Sequence, residues 1–569
     1  MNNILKHISI LHNHELYSNV VKLAELTVTV CEQKPDFATP SQKFQLHVYY
    51  AEALFHVERY EIAEKNYSQA LQTRKYMTKI KSSSNKNIDE LKLMTDTEIK
   101  FKMYKCYIKL KRFLNAIEIL ESIPARNRTP KVNMALGNLY KDVNQDRAAI
   151  TCFKETLKEC PLALETAENL LMLDVKGVEV NALMVDVTNE INWINLWLRA
   201  KTQMHARDFN NAIMIFKSLD CTGMLKDNVN LLVNMGYCYH YLCNENAAIS
   251  ALQRAVRLNP FLKTGRDLLA NLLTTSNDKE YLKDLEKLMP TDNDTSLLSH
   301  EDWTVMAYYM YSQKKYELAV FLTEQACKIE KSVEAYLLKA RMYTQLNKFY
   351  DASSDLRQAL LICPYRFDLH KDLVQLYLAT SRLREGIAAA NNACKQLNNS
   401  PPSLTLYASA LLKDTMNATK AKGILEKAIS GDSPYLPAVY LLIDILKQEH
   451  AFEDAIKLIK KIIDNTSSSK LHQLLADCYV RLQKDEEAFH HYNVALRIDP
   501  SNQKALEGMD NIGCSINTSK VESTCYVTAH GDSNTYPSQA ETTQDNEGDP
   551  DSDTDNWPNS GGHIMSFSV

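Results

Sequence analysis

Three cysteine and histidine residues are the first candidates for chemistry in this sequence, because thiolate and imidazole groups bind metal ions. Cys238, His240 and Cys243 stand close together in the stretch "YCYHYLC". On a helix, Cys238 and Cys243 would point about 140° apart, given ~100° per residue, so they could not easily share one ion. We interpret both as structural residues. His12 and His14, in "HNH", have no nearby strand pattern or further ligands of the kind that a nuclease uses.

The acidic stretch "DPDSDTDN" alternates its carboxylates, as a calcium-binding loop does. An EF-hand loop that began at Asp551 would need glycine at its sixth position and glutamate at its twelfth. Asn556 and Gly562 occupy those two positions. We therefore interpret the stretch as a solvated acidic tail.

Lys79, Lys81 and Lys86 could contact nucleic acid, but no aromatic residues alternate with them, and a solvated loop is the better interpretation. The net charge of −5 gives no general reason to expect nucleic-acid binding either. The sequence has no glycine-rich phosphate loop, no G-x-S-x-G motif and no C-x-x-C pair. We expect no enzymatic activity, cofactor, metal or small-molecule ligand.

The composition indicates a large helical protein rather than one compact core. The 569 residues exceed the size of an ordinary single core, and 45% of them are hydrophobic. Glycine (14) and proline (16) are both few. No apolar run has the length of a signal peptide or of a membrane span of ~18 residues. We expect no membrane partner, 13 reduced cysteines and a location in the nucleus and cytoplasm.

One helical pattern recurs along the chain. The stretch "EEAFHHYNVALRIDP" places Ala488, Tyr492 and Ala495 on one helix face, because they stand four and three residues apart. Pro500 follows, where a proline can end a helix. The same spacing appears in four further stretches, whose marking residues are Ala63, Tyr67, Ala149, Ala248, Ala352 and Ala359.

A second helix pattern precedes each of these, with a small residue followed three positions later by an aromatic residue. In the clearest copies the small residue lies twelve positions before the later alanine, as Ala340 does before Ala352. The residues of this first helix are Ala51, Gly137, Tyr140, Gly236, Tyr239, Ala340, Tyr343, Ala476 and Tyr479. The small residue lets two helices approach closely, and the aromatic ring fills the space one turn further along.

A helix–turn–helix unit of ~34 residues with small residues at these positions is the tetratricopeptide repeat. Weaker copies fill the gaps, and those near residues 164, 263 and 436 are degenerate. We count about fourteen units from near residue 10 to 502. The sequence thus predicts an all-α, right-handed superhelical solenoid in which neighbouring units bury each other's faces.

Two segments fall outside the pattern. The first is a polar stretch at 78–96, which we expect to be a mobile loop. The second is the tail, 513–569, which carries nine acidic residues and one lysine. Its net charge is −8, which leaves +3 on the rest of the chain. Low hydrophobicity with high charge is typical of disorder.

The chain also resembles one particular family of repeat proteins over roughly residues 15 to 510. The stretches that carry the resemblance are not consensus repeat residues. They include "SNVVKLAELTVTVCEQKPDFATPSQKFQLHVYYAEALFHVERY" from Ser18, "YLATSRLREGIAAANNACKQL" from Tyr377 and "SLTLYASALLKDTMNATKAKGILEKAI" from Ser403. In these stretches the chain is similar to the anaphase-promoting complex (cyclosome) subunit 7 family.

The resemblance implies a non-catalytic scaffold subunit of a cell-cycle ubiquitin ligase that controls the metaphase–anaphase transition and mitotic exit. It implies a homodimer through the N-terminal repeats, 1–165, and contact of repeats 166–512 with other repeat subunits of the complex. Association with the mitotic spindle is a further expectation. Tyr104, which stands where the repeat expects a small residue, departs from the pattern.

Two other functions remain open from the sequence. A peptide receptor or co-chaperone would need a cluster of basic residues on the first helices of consecutive repeats, and none stands in register in the sequence. A repeat array fused to an enzyme would need a further domain of ordinary size. The 57-residue tail does not supply one.

Overall fold

A computed structural model describes residues 1–81, 93–188, 190–221, 223–276, 279–290, 298–414, 417–431, 434–463 and 468–511. The stretch 82–92, within the loop expected at 78–96, and the whole acidic tail lie outside the described residues. The predictions of a mobile loop and a disordered tail therefore stay predictions.

The described residues form twenty-nine α-helices, of which twenty-eight are numbered below, two short 3₁₀ helices and no strands. The helices of the N-terminal half are α1 (Asn2–Asn13), α2 (Tyr17–Gln33), α3 (Pro40–His56), α4 (Tyr60–Lys81), α5 (Asp96–Lys109), α6 (Phe113–Glu121), α7 (Pro130–Asp142), α8 (Asp146–Glu159), α9 (Leu164–Met172), α10 (Gly177–Thr188), α11 (Asn192–His205), α12 (Phe209–Cys221), α13 (Val229–Tyr241) and α14 (Glu245–Leu258).

The remaining helices are α15 (Arg266–Thr275), α16 (Lys279–Lys287), α17 (His300–Ser312), α18 (Tyr316–Ile329), α19 (Val333–Gln345), α20 (Phe349–Ile362), α21 (Phe367–Ala379), α22 (Leu383–Gln396), α23 (Pro401–Leu411), α24 (Ala418–Ile429), α25 (Leu436–Gln448), α26 (Phe452–Ile463), α27 (Ser469–Arg481) and α28 (Asp485–Ile498). Residues 503–511 are also helical. Successive helices thus alternate as first and second helices of fourteen units. Two of the three degenerate units are the pairs α9–α10 and α15–α16, and the third begins with α25.

The chain divides into two compact units, Met1–Leu442 and Ile443–Val569. In the first unit the core is a row of local clusters, the first of which is built around Phe44, Leu54 and Tyr67. Another surrounds Leu136 and Phe153. Each cluster takes its side chains from neighbouring pairs, as a repeat array requires. In the second unit, α26 buries Ile456, Ile459 and Ile462.

The turn between the two helices of a pair has one recurring backbone form. Twelve of the fourteen turns contain a non-glycine residue with φ between 56° and 64°, in the left-handed region. In the turn between α3 and α4 this residue is Glu58, and the N–H of Arg59 donates to the carbonyl of Leu54 at 2.9 Å. This is the Schellman arrangement, which satisfies the last carbonyls of a helix. The pairs are therefore joined by a fixed backbone geometry.

Side-chain caps define the start of several first helices. Thr39, Thr95 and Ser299 each form a capping box with the residue three positions later. Each box satisfies two backbone N–H groups that the helix leaves free. The predicted all-α repeat fold is confirmed. No helix among the described residues is both long and apolar enough to span a membrane.

Candidate protein-interaction surfaces

The residues that the repeat pattern singles out lie mostly between the helices of their own pairs. The small residues are at most 1% exposed where an exposure is given, and the two glycines are buried as well. The buried residues of the set are Ala51, Ala63, Tyr67, Gly137, Tyr140, Ala149, Gly236, Ala248, Ala340, Ala352, Ala359, Ala476, Tyr479, Ala488, Tyr492 and Ala495. Tyr239 and Tyr343 are half-buried, and Pro500 is exposed beyond the end of α28.

Both glycines of the set stand where two helices touch. A Cβ atom on Gly137 would lie 2.6 Å from Cε1 of Phe153, and one on Gly236 would lie 2.7 Å from Cδ2 of Leu252. These distances are shorter than van der Waals contact, so an alanine at either position would force the facing side chain, or the helix that carries it, to move. Glycine at position 236 therefore permits the close approach of α13 to α14.

Several tyrosines of the pattern pack their rings against the neighbouring helix. Their hydroxyl group, or the face of the ring, contacts a polar or charged group. Tyr140 donates to Glu121 Oε1 at 2.5 Å, and Tyr492 donates to Asp477 Oδ1 at 2.7 Å. The Lys217 ammonium lies 5.4 Å from the ring centroid of the half-buried Tyr239. A tyrosine rather than phenylalanine suits these positions, because one end of its ring reaches a polar group.

A group of buried and half-buried charged and polar side chains lies where the first helices of five successive pairs meet. We call it the central polar cluster, and its members are His240, Asn271, Tyr308, Glu334, Arg341, Arg366, Asp368 and Asp372. Glu334 and Arg366 form an ion pair at its centre, and both side chains are 4% exposed. Buried ion pairs need further hydrogen bonds to offset desolvation. Here Asn271 and Tyr308 supply them to Glu334 at 3.1 and 3.3 Å.

Two carboxyl groups in this region have opposite titration behaviour. Burial, and next the Glu334 carboxylate, raise the pKa of Asp267 to about 7. Burial would raise the pKa of Asp368 as well. The Arg366 guanidinium and His240 outweigh that effect and hold the pKa of Asp368 well below its usual value. Near pH 7, Asp267 is therefore partly protonated, whereas Asp368 is ionised.

Contacts that skip several repeats join the two sides of this region. The Tyr241 hydroxyl lies 3.8 Å from Cys363 Sγ, across 122 positions of sequence. His240 Nε2 lies 3.6 Å from Asp368 Oδ2, and the Arg207 guanidinium lies 4.2 Å from the Tyr365 ring centroid. We call these three contacts the clasp. Because units of a simple solenoid contact only their neighbours, the clasp closes a loop of repeats on itself.

A wide cavity of about 840 Å³ opens beside the clasp. Aromatic rings and prolines dominate its lining, with Tyr239, Tyr241, Phe367, Tyr435, Pro401 and Pro434 among them. Lys217 is the only charged residue in the described lining. The cavity can therefore take apolar chain segments. Among the described lining residues there is no cluster of lysines or arginines for a terminal carboxylate.

The cysteine and histidine residues singled out above do not form a metal centre. Burial raises the pKa of Cys238 and that of Cys243 to about 12. His240 faces Asp368 in the clasp. Across the described ranges, no three His, Cys, Asp or Glu side chains are placed to hold a metal ion.

Sequence reasoning missed the central polar cluster and the clasp. Their residues carry no repeat period. The contacts of the clasp join positions more than a hundred residues apart, and those around Glu334 join positions 26 to 63 apart or in neighbouring repeats. One weak sign was available. Arg366 and Asp368 flank a helix start immediately after Pro364, where the repeat pattern does not call for buried charge.

Comparison with known proteins identifies the repeat and the family. The family model described as "Tetratricopeptide repeat" matches residues 229–261, 333–366 and 469–502. A crystal structure of the APC/C hetero-tetramer Cut9–Hcn1 matches with a TM-score of 0.53 and 13% identity, over 89% of this chain and 95% of that chain. At that identity the match supports the fold alone.

Curated relatives match over nearly their whole length. Anaphase-promoting complex subunit 7 of Homo sapiens is 34% identical over 520 residues, which are 90% of this chain and 92% of the relative. The subunit 7 proteins of Mus musculus and Arabidopsis thaliana are 34% and 23% identical over 90% and 89% of this chain. A chain of tetratricopeptide repeats that is 34% identical to the human protein over 90% of its own length belongs to the anaphase-promoting complex subunit 7 family.

Proposed function

We propose that this chain is a non-catalytic scaffold subunit of the anaphase-promoting complex, a ubiquitin ligase that controls the metaphase–anaphase transition and mitotic exit. The observation that carries the proposal is the 34% identity over 90% of this chain and 92% of the human relative. A match to the repeat consensus alone would not show which protein complex the chain belongs to. This alignment also includes stretches outside the repeat consensus.

The non-catalytic role is supported by how the polar residues are used. Charged groups in the central polar cluster bind one another, and the patterned residues pack helices together. A scaffold needs stable surfaces at fixed spacing, which a solenoid provides. By the family resemblance, repeats in the range 166–512 contact other repeat subunits, in the nucleus and cytoplasm and at the spindle in mitosis.

Homodimerisation through residues 1–165 is part of the proposal. A terminal repeat usually presents a polar outer face. In α2, however, Leu26 is 68% exposed and Val30, one turn further along, is 41% exposed. Burial of two such side chains against a second copy would remove apolar surface from water on both protomers.

The dimer is tested by sedimentation velocity of the full-length chain. The double variant Leu26→Glu, Val30→Glu should weaken self-association at least tenfold. Phe261→Glu, at an 84% exposed apolar residue outside the N-terminal repeats, is the matched control and should not change it. A wild-type chain that stays monomeric at high micromolar concentration would remove the dimer from the proposal. Equal effects of both variants would remove the α2 face.

A peptide receptor outside the ligase is the second candidate function, and the cavity of about 840 Å³ favours it. A co-chaperone groove would hold a peptide carboxylate with several cations. Lys217 is the only such residue in the described lining. The clasp contacts lie next to this cavity. A long peptide that extended from the cavity past Tyr241 would therefore have to break the clasp.

Affinity purification of the tagged chain from dividing cells separates the two functions. The scaffold proposal expects other repeat subunits, together with the cullin-like and RING subunits of the ligase, to co-purify in stable proportion. Chaperones without ligase subunits would support the peptide receptor instead. A purification without stable partners would contradict both functions.

A further inference from the structure

Four serine or threonine residues of the chain precede a proline, and this dipeptide is the one that proline-directed kinases recognise. They are Thr39, Thr129, Ser400 and Ser433. Ser433 lies outside the described residues. Each of the other three is the N-cap residue of a first helix (α3, α7 and α23), and the proline is the first residue of that helix. Because the dipeptide is frequent by chance, the surroundings of each hydroxyl must distinguish a site from a coincidence.

The hydroxyl groups of Thr39 and Ser400 already have partners in the fold. Thr39 Oγ1 accepts from the backbone N–H of Gln42 at 3.4 Å and belongs to the capping box of α3. Ser400 is half-buried, and its hydroxyl donates to Ser403 Oγ at 3.2 Å. A kinase would have to break these hydrogen bonds before it could modify either residue.

Thr129 differs from both. It is exposed, and its side chain caps no backbone N–H of α7. Its backbone is extended, with φ −85° and ψ 161°, which is the form in which kinases bind their substrates. Val132, three positions further on, is fully buried, so the first turn of α7 has to open for a kinase to bind this segment. A helix start without a side-chain cap opens more readily than a capped one.

Positive charge surrounds the Thr129 hydroxyl in the sequence. Arg126, Arg128 and Lys131 stand within three positions of it, and residues 122–131 contain no acidic residue. Arg128 already donates to two backbone carbonyl groups, at 3.0 and 3.1 Å. Arg126 and Lys131 are exposed, and their long side chains can turn toward an anion at position 129. A phosphate there would also lie at the positive end of α7.

We propose that Thr129 is a modification site, phosphorylated by a proline-directed kinase that uses ATP, and that the phosphate then caps α7. In the transfer, Thr129 Oγ1 forms a bond to the γ-phosphorus of ATP, and the bond from that phosphorus to the β-phosphate oxygen breaks. The hydroxyl proton passes to the catalytic aspartate of the kinase, and ADP leaves. Phosphate oxygens then accept from the N–H groups at the start of α7, which the hydroxyl leaves uncapped.

The modification is tested on the full-length chain with a purified mitogen-activated protein kinase and ATP, with each phosphopeptide quantified over time by mass spectrometry. Thr129 should be modified at least tenfold faster than Thr39 and Ser400. Thr129→Ser keeps a hydroxyl and should still be modified. Gln42→Ala removes one of the two hydrogen bonds of the α3 capping box. It should raise the rate at Thr39 at least threefold and leave the rate at Thr129 unchanged.

Hydrogen exchange of the phosphorylated chain measures the cap. Exchange in the first turn of α7 should become at least threefold slower on phosphorylation. In the variant Arg126→Gln with Lys131→Gln, compared with its own unphosphorylated form, this slowing should be at most half as large. Lys109→Gln with Arg147→Gln makes the same change in net charge at exposed residues of α5 and α8, and it should keep the full effect.

Three results would overturn the proposal. An unmodified Thr129, or equal rates at Thr129 and Thr39, would show that the free hydroxyl does not make a site. Phosphorylation without slower exchange in α7 would show that the phosphate does not cap the helix. Equal effects of the two double variants would show that net charge alone acts. All of these measurements use the isolated chain, so they do not depend on its membership of the ligase.

Discussion

Glycine in the middle of a helix is normally unfavourable, and at position 236 packing reverses that preference. Gly→Ala in a helix usually gains about 0.5–1 kcal/mol, because alanine loses less backbone freedom on folding. At Gly236 the added carbon would press on Leu252 at 2.7 Å. The same substitution can therefore stabilise or destabilise this chain, depending on the facing helix.

We expect Gly236→Ala to destabilise the α13–α14 pair by about 1–3 kcal/mol through overpacking. Gly423→Ala, in α24, is the matched control, since no atom lies within 4 Å of its added carbon. It should gain about 0.5–1 kcal/mol. Hydrogen exchange of the two helix pairs measures both effects. A gain at position 236 would contradict the close approach of the two helices.

The protonation of Asp267 makes stability depend on pH. Its pKa in the folded chain, about 7, lies above the ordinary aspartate value. The stability that the bound proton provides is therefore fully present below about pH 4, the ordinary range, and it is lost as the pH rises through 7. Asp267→Asn keeps a neutral side chain at every pH.

We expect Asp267→Asn to melt at the same temperature as the wild type, or slightly below it, at pH 5 and at a higher temperature at pH 8. The gain at pH 8 should be at least about 1 kcal/mol, because one unit of pKa shift corresponds to ~1.4 kcal/mol. Thermal denaturation at both pH values measures it. If the difference in melting temperature between Asp267→Asn and the wild type were the same at both pH values, Asp267 would be ionised in the folded chain at both.

At the scale of the element, the turn within each helix pair depends on backbone conformation more than on side-chain type. The left-handed position is held by Glu58, Lys111, Arg207 and other non-glycine residues. A left-handed conformation costs a residue with a Cβ about 1–2 kcal/mol. The Schellman hydrogen bonds offset this cost and recur in turn after turn.

Glu58→Gly should raise the stability of the α3–α4 pair by about 0.5–1 kcal/mol, since glycine adopts φ = 64° without strain. Glu58→Val should lower it by ~1 kcal/mol or more, because a β-branched side chain opposes this conformation. Glu25→Gly, at an exposed site within α2, should cost about 1 kcal/mol. Chemical denaturation of the three variants measures the order, and a loss at Glu58→Gly would refute the conformational explanation.

The sequence predicted the helix pairs but not how distant pairs meet. Local spacing marks Ala340 and Ala352, since they face each other within one pair. Tyr241 and Cys363 touch across 122 positions, and no periodicity carries that information. The left-handed turns could not be predicted from the sequence either. Glycine is the usual sign of a positive φ, and these positions hold residues such as Glu58 and Arg207 instead. The degenerate units near residues 164 and 263 fold as helix pairs all the same, because their helices also pack against neighbouring pairs.

At the scale of the molecule, the clasp changes how stability is shared within the first unit. In a simple array the free energy of unfolding is a sum over units and nearest-neighbour contacts. Here Arg366 binds both Glu334 and Asp368, and Asp368 faces His240 on α13. The repeats between α13 and α21 should therefore unfold together.

Removing Arg366 tests this cooperativity. Arg366→Leu leaves the buried Glu334 and the half-buried Asp368 without their cation and should cost about 3–5 kcal/mol. Hydrogen exchange should become faster in α13 and in α21, although the two helices are far apart in sequence. Arg112→Leu, which removes a half-exposed partner of Glu61, is the control and should cost no more than about 1 kcal/mol. Faster exchange in α21 with unchanged exchange in α13 would argue against a cooperative unit.

The clasp also has a mechanical consequence. A solenoid of helix pairs stretches like a spring, since each joint between pairs yields a little under load. The three clasp contacts join the two ends of the span from Arg207 to Asp368. This span therefore resists extension until the contacts of Tyr241, His240 and Arg207 break. Under tension that span should stay short while unclasped repeats lengthen, and its yield should come as one abrupt step. The distance between the two ends of that span should therefore stay nearly constant under a load that lengthens the unclasped repeats.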